Sequence, residues 1–248
     1  MKTVLVFSRK GGTGKTTTVH ALGSGLMKQG KRVLFLDMDG QANLTLLFGM
    51  SDENPGAYEL LCKRVPISKL IQHTEQGDIV PGNEEVHASD KLLDGVQDTF
   101  ILAKALEEVK KQYDYCIIDA PAALGMITMN CIIAANKIIV PVQAELFSVQ
   151  GLAKITNLLD TIEEQCGEKR KIDGILLTQS DPRTNVTKSI SNDFEEVAKQ
   201  YKTKIYQTRI RKCTALIEAA LMQQSIFDYA PRSNAAQDYA AFINEFVG

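Results

Sequence analysis

The fold of this chain is decided by Val4-Leu5-Val6-Phe7 and the segment that follows it, Ser8-Arg9-Lys10-Gly11-Gly12-Thr13-Gly14-Lys15-Thr16-Thr17-Thr18. The apolar run predicts a buried strand, and the glycines predict a loop that leads into a helix. Glycines let backbone N–H groups approach a ligand without interference from Cβ, and a helix N-terminus adds the positive end of a dipole. The stretch therefore predicts a phosphate-binding loop between a strand and a helix.

The residues of this loop have distinct predicted roles. Lys15 is expected to reach the β and γ phosphates of a nucleotide, and the Thr16 hydroxyl is expected to hold Mg²⁺. Arg9 stands where the standard pattern has a glycine, so the loop is a variant. A glycine-rich turn without a ligand is the alternative, but a strand before the loop and a helix after it favour phosphate binding. The predicted nucleotide-binding residues are Lys10, Gly11, Gly12, Thr13, Gly14, Lys15, Thr16 and Thr17.

Composition limits the class of protein. With 248 residues, 44% hydrophobic and 23% charged, the chain is long enough for one sizeable core, and we expect a single domain over residues 1–248. A formal net charge of −2 argues against a wholly basic nucleic-acid binder, so any such binding requires a local patch. The five cysteines contain no Cys-x-x-Cys pair, which fits reduced thiols better than disulfides or a zinc site.

Targeting signals are not evident in the sequence. The N-terminus lacks a charged segment followed by an apolar one, and no apolar run approaches the roughly 20 residues of a membrane-spanning helix. We therefore expect a soluble, cytoplasmic protein.

The order of elements predicts the fold class. Residues 16–29 have helical apolar spacing, and buried strands are predicted at 32–36, 113–119, 137–142 and 172–178, with a short strand at 78–80. Further helices are predicted at 57–62, 100–111 and 234–247. Strands that alternate with helices imply right-handed crossovers. The prediction is an α/β fold with one doubly wound, mostly parallel sheet and helices on both faces.

Carboxylates stand at the C-terminal ends of two of these strands. Asp37 and Asp39 follow the second strand two residues apart, and Asp119 ends the strand at 113–119. Ligands in open α/β sheets bind at those strand ends, and phosphoryl transfer needs carboxylates near Mg²⁺ and near the attacking water. Asp119 is predicted to hold Mg²⁺ through water, and the alternative is an aspartate that only caps a helix.

These motifs resemble the ParA/Soj-type partition ATPases, which have a deviant Walker A motif and belong to the ParA/MinD superfamily of P-loop NTPases. The resemblance rests on Lys10-Gly-Gly-Thr-Gly-Lys-Thr16, on Asp37-Met-Asp-Gly-Gln-Ala-Asn43, and on Tyr113-Asp-Tyr115, Asp119-Ala-Pro121 and Pro141-Val-Gln-Ala-Glu145. It covers nearly the whole chain and is weakest over residues 51–102. It implies Mg²⁺-dependent hydrolysis of ATP.

The resemblance assigns roles by position. Lys10 matches the lysine that reaches the partner's nucleotide across a dimer interface, so Lys10, Lys15 and Asp39 are the expected catalytic residues. Asp39 matches the carboxylate that positions the hydrolytic water. The expected metal-site residues are Thr16, Asp37 and Asp119. Asn43 falls in the segment that faces the nucleotide across the dimer.

The family's DNA-binding role is the least securely matched part of the resemblance. Residues 210–219 align with the family segment Ile-Pro-Arg-Asn-Val-Arg-Leu-x-Glu-Ala, where Lys212 keeps one basic position and Ala215 replaces the other arginine. Residues 169–212 contain 11 Lys plus Arg against 5 Asp plus Glu, which predicts either a DNA-binding patch or simply a solvated face. The expected DNA contacts are Arg183, Lys188, Arg211 and Lys212.

The implied partners are a second copy of the chain when ATP is bound, a ParB-like DNA-binding protein and non-specific DNA, with association with the nucleoid in the ATP-bound state. A MinD-like membrane-bound regulator would need a basic amphipathic C-terminal helix, and residues 238–248 contain no lysine or arginine. A metabolic or redox ATPase of the same fold would need cysteines at the dimer axis. Neither alternative fits the sequence as well.

Overall fold

The computed structural model describes residues 1–51, 53–143, 148–180, 198–199 and 202–248, and it describes the side chains of these residues except 148–150 and 152. Eight strands form one sheet in the order β3-β4-β2-β5-β1-β6-β7-β8. All neighbouring strands are parallel except β3 and β4. The strands are β1 Lys2–Val6, β2 Val33–Asp37, β3 Gln72–Thr74, β4 Gly77–Val80, β5 Tyr115–Asp119, β6 Lys137–Gln143, β7 Ile172–Ser180 and β8 Lys204–Arg211.

Helices cover both faces of this sheet. They are α1 Lys15–Lys28, α2 Asn43–Leu47, α3 Ala57–Cys62, α4 Ser89–Leu92, α5 Ile101–Val109, α6 Met126–Ala134, α7 Ser148–Cys166, α8 Ala215–Leu221, α9 Ile226–Tyr229 and α10 Asn234–Val247. Short 3₁₀ turns occupy Ile67–Lys69, Glu84–Ala88 and Val96–Phe100. None of the helices in the described part of the chain is long and apolar enough to cross a membrane.

The core has two halves, one on each face of the sheet. Side chains alternate along β1, so that Val4 and Val6 pack with α1 and α10 while Leu5 and Phe7 pack with α5 and α6. A parallel sheet that is buried on both faces reads as continuous apolar runs, which is why the sequence identified β1, β2 and β5. The predicted doubly wound α/β fold is confirmed.

The edge strands β3 and β8 are the described strands that the sequence did not reveal. In β8 only Tyr206 and Ile210 are fully buried, and charged or polar residues separate them. In β3 the residues are Gln72, His73 and Thr74, of which none is buried. A strand at the edge of a sheet lacks the apolar run of a central strand, so its pattern is hard to distinguish from a polar loop.

Helix α1 is fixed in place from both sides. A Cβ on Gly23 would lie 2.1 Å from the Phe35 ring, and one on Gly25 would lie 2.2 Å from Ile243 Cδ1. These glycines cost the helix some propensity, but they allow it to lie close to β2 and α10. The Thr18 hydroxyl also lies 3.1 Å from the Tyr239 hydroxyl of α10. The N-terminus of α1 is therefore held rigidly at the end of β1.

Candidate functional site

The glycine loop between β1 and α1 forms an open concave surface. Gly12 and Gly14 have φ angles of +74° and +86°, in the left-handed region that favours glycine. A Cβ added at Gly11, Gly12 or Gly14 would meet no described atom within 4 Å. The loop therefore leaves space above its backbone at the N-terminus of a 14-residue helix, where N–H groups and the helix dipole favour an anion.

Side chains from β6 and β7 hold the other side of the loop. The amide nitrogens of Gln143 and Gln179 each donate a hydrogen bond of 2.7 Å to the Gly12 carbonyl oxygen. The Thr178 hydroxyl donates to the Thr13 carbonyl oxygen at 2.8 Å. Because these carbonyls bond to the protein, we infer that the peptide N–H groups of the loop turn toward the open side.

Sequence reasoning missed these three supporting residues. Gln143 lies in the Pro-Val-Gln segment that carries the family resemblance, and Thr178 ends the predicted strand at 172–178. The C-terminal ends of parallel strands meet at one edge of the sheet, and this rule could have placed Gln143, Thr178 and Gln179 near the loop. No sequence pattern indicates that two separate amides bond to the same carbonyl.

Thr16 and Asp119 form the junction between α1 and β5. The Thr16 hydroxyl donates to Asp119 Oδ2 at 2.6 Å, and Asp119 is only 1% exposed. The second oxygen, Asp119 Oδ1, is buried and has no hydrogen-bond partner among the described residues. Burial, and then the charge of Asp37, raise the pKa of the Asp119 carboxyl above its usual range.

This junction fits a bound Mg²⁺. An unpartnered buried carboxylate oxygen is costly in an apolar setting and becomes favourable beside a cation. A threonine hydroxyl that donates its proton to Asp119 keeps lone pairs that can coordinate a metal. Mg²⁺ prefers such oxygen ligands.

Asp37 binds the segment that follows β2. Its Oδ2 accepts hydrogen bonds from the Thr45 backbone N–H at 2.8 Å and from the Thr45 hydroxyl at 2.7 Å, and its Oδ1 accepts from the Asp39 N–H at 3.2 Å. Asp37 is fully buried, and burial raises the pKa of its carboxyl despite these bonds. It pairs in register with Asp119 on the neighbouring strand. In this geometry, Asp37 positions α2, and its role at the metal site remains a prediction.

Asp39 is more accessible than the two buried aspartates. It is partly exposed, and its Oδ1 accepts a hydrogen bond from the Gln41 N–H at 3.0 Å. Its backbone carbonyl accepts from the Ala42 N–H at 2.9 Å, and Ala42 has a φ of +51° that is unfavourable for a non-glycine residue. The turn that contains Asp39 thus presents a carboxylate at the same edge as the glycine loop.

The loop cations have different surroundings. Lys15 is the partly buried first residue of α1, and its charge acts to lower the pKa of Asp119. Lys10 is exposed, and its carbonyl oxygen accepts a weak hydrogen bond of 3.4 Å from the Thr13 hydroxyl. Thr17 is partly exposed in the first turn of α1. The fold therefore brings the predicted catalytic, nucleotide and metal residues to one edge of the sheet.

Of the predicted DNA-binding residues, the structure describes Arg211 and Lys212. Arg183 and Lys188 lie outside the described residues. Arg211 donates to Asp238 through Nη2 at 2.7 Å and through Nε at 2.9 Å, so a neighbouring carboxylate offsets its charge. Lys212 is exposed at the end of β8.

The described basic residues of the segment 169–212 lie at two separate places in the fold. One group, Lys169 to Lys171, precedes β7. In the other group, Arg211 ends β8 and Lys212 follows it. The two strands are parallel, so these groups lie at opposite ends of a strand of about 25 Å. The described basic residues of the segment therefore do not share one end of the sheet, and DNA binding through the segment stays a prediction.

The cysteines give no support to an iron–sulfur site. Cys116 and Cys131 are fully buried, and burial raises the pKa of both thiols. Cys62 donates to the Ser89 hydroxyl oxygen at 3.2 Å, on a different element from Cys166 and Cys213. The five thiols are free.

Comparisons with known proteins agree with this geometry. A family model described as an AAA domain matches residues 1–173. The chain is 34% identical to the sporulation initiation inhibitor protein Soj of Bacillus subtilis, over 98% of this chain and 97% of that protein. It is 30% identical to the chromosome partitioning protein ParA of Myxococcus xanthus, over 98% of this chain and 87% of that protein. A crystal structure of cobyrinic acid a,c-diamide synthase from Mycobacterium smegmatis with bound ADP and magnesium superposes on this chain with a TM-score of 0.84. The sequence identity is 26%, and the superposition covers 100% of this chain and 94% of that one.

Proposed function

The chain belongs to the ParA/Soj-type ATPases of the ParA/MinD superfamily, and on this basis we propose that it is a dimeric, ATP-hydrolysing switch for the partitioning of plasmid or chromosomal DNA. The observation that carries the proposal is the Thr16–Asp119 junction beside the open glycine loop. It supplies a phosphate cradle and a metal site within one turn of helix. Residues 1–248 act as one ATPase unit.

Nucleotide binding uses the open side of the loop. The N–H groups at the start of α1 bind the phosphates of ATP, and Lys15 neutralises the charge on the β and γ phosphates. The hydrogen bonds from Gln143 and Gln179 to the Gly12 carbonyl hold the loop in the conformation that presents those groups. Binding energy is then not needed to order the loop.

Metal binding uses Thr16 and Asp119, and Asp37 lies beside Asp119 on the neighbouring strand. When Mg²⁺ is bound there, it neutralises charge on the phosphate oxygens during transfer. The unpartnered Oδ1 of Asp119 would bind the metal, directly or through a water molecule. Asp37 keeps α2 in place through Thr45.

Hydrolysis requires a positioned water and a complete dimer. Asp39 lies on the turn that Asp37 anchors, and its carboxylate accepts a hydrogen bond from the attacking water and orients it. Lys10 is exposed at the front of the loop, where it reaches the nucleotide of a second copy. Two copies therefore face each other through their glycine loops.

The ATP-bound dimer binds DNA without sequence preference and associates with the nucleoid, and a ParB-like partner stimulates hydrolysis and release. Doubling the protein–phosphate contacts by dimerisation raises non-specific affinity steeply, so nucleotide state controls DNA binding without a change of fold. Arg183, Lys188, Arg211 and Lys212 remain candidates for these contacts.

The proposal is tested by comparing ATP with ADP in three assays of the same preparation. Light scattering should show a dimer with ATP and Mg²⁺ and a monomer with ADP. A labelled plasmid should bind at least tenfold more tightly with ATP than with ADP, and phosphate release should stop when Mg²⁺ is chelated. Glu84→Ala, an exposed carboxylate beyond β4, is a matched control that should behave as wild type. An ATP-bound protein that stays monomeric and ignores DNA would contradict the proposed switch.

A further inference from the structure

The edge of the sheet opposite the nucleotide site carries a row of lysines. All strands except β3 run in the same direction, so their N-terminal ends meet at one edge. Six adjacent strands each begin with a lysine or follow one closely. We call this set the basic edge, and across the sheet it consists of Lys31, Lys111, Lys2, Lys137, Lys171, Lys202 and Lys204.

The register of the strands brings these lysines into one row. Ile138 pairs with Ile172, which places the preceding residues Lys137 and Lys171 side by side. The Thr203 hydroxyl donates to the Ile172 carbonyl oxygen at 3.0 Å and holds the start of β8 at the same level. Strands lie about 4.8 Å apart, so the five gaps from β2 to β8 span roughly 24 Å. The row covers the length of about seven base pairs of duplex DNA.

Most of the row is not neutralised by carboxylates. Lys137 pairs with Asp173 at 3.0 Å, and the neighbouring Arg32 pairs with Asp114 at 3.0 Å. The remaining lysines have no carboxylate oxygen within 4 Å among the residues that the structure describes, and all are exposed. These are Lys2, Lys31, Lys111, Lys171, Lys202 and Lys204.

Two of the unpaired lysines rest on aromatic rings. Lys2 Nζ lies 5.9 Å from the Tyr115 ring centroid, and Lys204 Nζ lies 4.6 Å from the Tyr206 ring centroid. Tyr115 and Tyr206 are buried, so the rings are fixed. A cation on a fixed ring has fewer conformations to lose when it binds a phosphate.

We propose that the basic edge is a sequence-independent binding surface for the phosphates of duplex DNA. The inference rests on the proposed function, because it names the surface through which the switch contacts DNA. It does not depend on Arg211, whose charge Asp238 offsets. Lys171, Lys202 and Lys204 belong to the basic segment predicted from sequence, whereas Lys2, Lys31, Lys111 and Lys137 come from four other strands.

An anionic membrane is the other polyanion that lysines could bind. A protein that lies on a membrane inserts apolar side chains between its cations. Of the exposed large apolar residues in the described part of the chain, only Val247, at the end of α10, lies near this edge. The basic edge therefore favours nucleic acid.

The position of the row predicts how a dimer would hold DNA. In the proposed dimer the glycine loops face each other, so the two basic edges point away from each other at opposite ends. A short duplex can contact only one edge, whereas a long DNA can return to the second edge or be bridged to another DNA. ATP should therefore strengthen binding to a plasmid by tenfold or more through bivalency and leave the affinity for a duplex of about 20 base pairs unchanged.

The experiment compares wild type with K31E/K171E/K202E. These residues are outside the nucleotide site, so ADP affinity, basal phosphate release and the melting temperature should be unchanged. Affinity for the short duplex should fall by more than tenfold, and the slope of log affinity against log salt should become shallower by about three. The milder K31Q/K171Q/K202Q gives the same direction if the charge reversal impairs folding. K91E/K104E/K154E changes the net charge equally on other exposed helix surfaces and should bind DNA normally.

Bridging is read directly by capture of a free labelled duplex on DNA-coated beads, which should require ATP. The inference would be overturned if K31E/K171E/K202E bound DNA as tightly as wild type, or if the control K91E/K104E/K154E lost as much affinity. Neither result would contradict the proposed nucleotide switch. The inference would also be overturned if R211E/K212E alone abolished DNA binding. Binding of the basic edge to vesicles with anionic lipid, but not to DNA, would overturn it as well. If wild type with ATP binds no DNA of any length, both the inference and the DNA part of the proposed function fail.

Discussion

The Thr16 hydroxyl donates a hydrogen bond of 2.6 Å to Asp119 Oδ2, and this bond joins two residues that are 103 positions apart in the chain. It connects the first turn of α1 to the C-terminal end of β5, so the phosphate loop and the acidic strand end share one rigid junction. The partner oxygen, Asp119 Oδ1, is left buried and unpartnered among the described residues. The apo protein therefore holds a carboxylate that is better suited to a cation than to its surroundings.

Asp119→Asn should stabilise the apo protein and abolish Mg²⁺-dependent binding. Because burial and the charge of Asp37 raise the pKa of Asp119, ionisation costs free energy in the folded state, and stability falls as the pH rises through that raised pKa. Urea unfolding should show a gain of about 1–3 kcal/mol for Asp119→Asn at pH 8. The gain should shrink toward pH 5, where the wild-type carboxyl is protonated, and an equal gain at both pH values would argue against this cause.

Lys15→Ala should weaken binding of ATP and ADP by about 10- to 100-fold, because a charge-assisted contact to the phosphates is lost. Isothermal titration with each nucleotide measures the change. Lys28→Ala, in the last turn of the same helix, removes an exposed ion pair with Asp228 and serves as the control. Unchanged nucleotide affinity in Lys15→Ala would move the phosphate-binding role to another cation.

Lys10→Ala should separate binding from assembly. If Lys10 acts on the partner's nucleotide, the variant binds ADP as wild type does but neither dimerises nor hydrolyses ATP. Light scattering with ATP and titration with ADP on one sample distinguish the two effects. A variant that dimerises normally with ATP would remove Lys10 from the interface.

Asp39→Ala should bind ATP and dimerise but hydrolyse about 100-fold more slowly, since the attacking water loses its orienting carboxylate while the glycine loop is unchanged. Single-turnover phosphate release measures the chemical step, and light scattering should show a persistent dimer. Gln41→Ala changes the same turn without removing the carboxylate. Normal turnover in Asp39→Ala would assign the role to Asp37 or Asp119.

Replacing Gln143 and Gln179 by leucine should weaken nucleotide binding by about tenfold, because the Gly12 carbonyl loses two hydrogen bonds and the loop is no longer fixed. The maximal rate of hydrolysis at saturating ATP should change less than the affinity, since neither side chain is expected to contact the reacting atoms. Each single variant should lie between wild type and the double variant. A double variant with unchanged affinity would show that the loop holds its shape without them.

The sequence by itself determined the central strands, the glycine loop and the acidic strand ends. These features are local, because buried parallel strands read as apolar runs and a phosphate loop needs glycines and Lys-Thr at fixed spacing. The family resemblance in residues 10–16 and 37–43 added the expected roles of Lys10 and Asp39.

Only the tertiary structure decided what depends on register and strand direction. Asp238 pairs with Arg211, Gln143 and Gln179 donate to one carbonyl, and the described basic residues of the segment 169–212 divide between the two edges of the sheet. Each of these contacts joins residues that are distant in the chain, and a parallel sheet creates them by aligning strand ends regardless of sequence separation. For the same reason the basic edge cannot be recognised along the chain: its members stand up to 202 residues apart and become neighbours only because six strands begin at one edge.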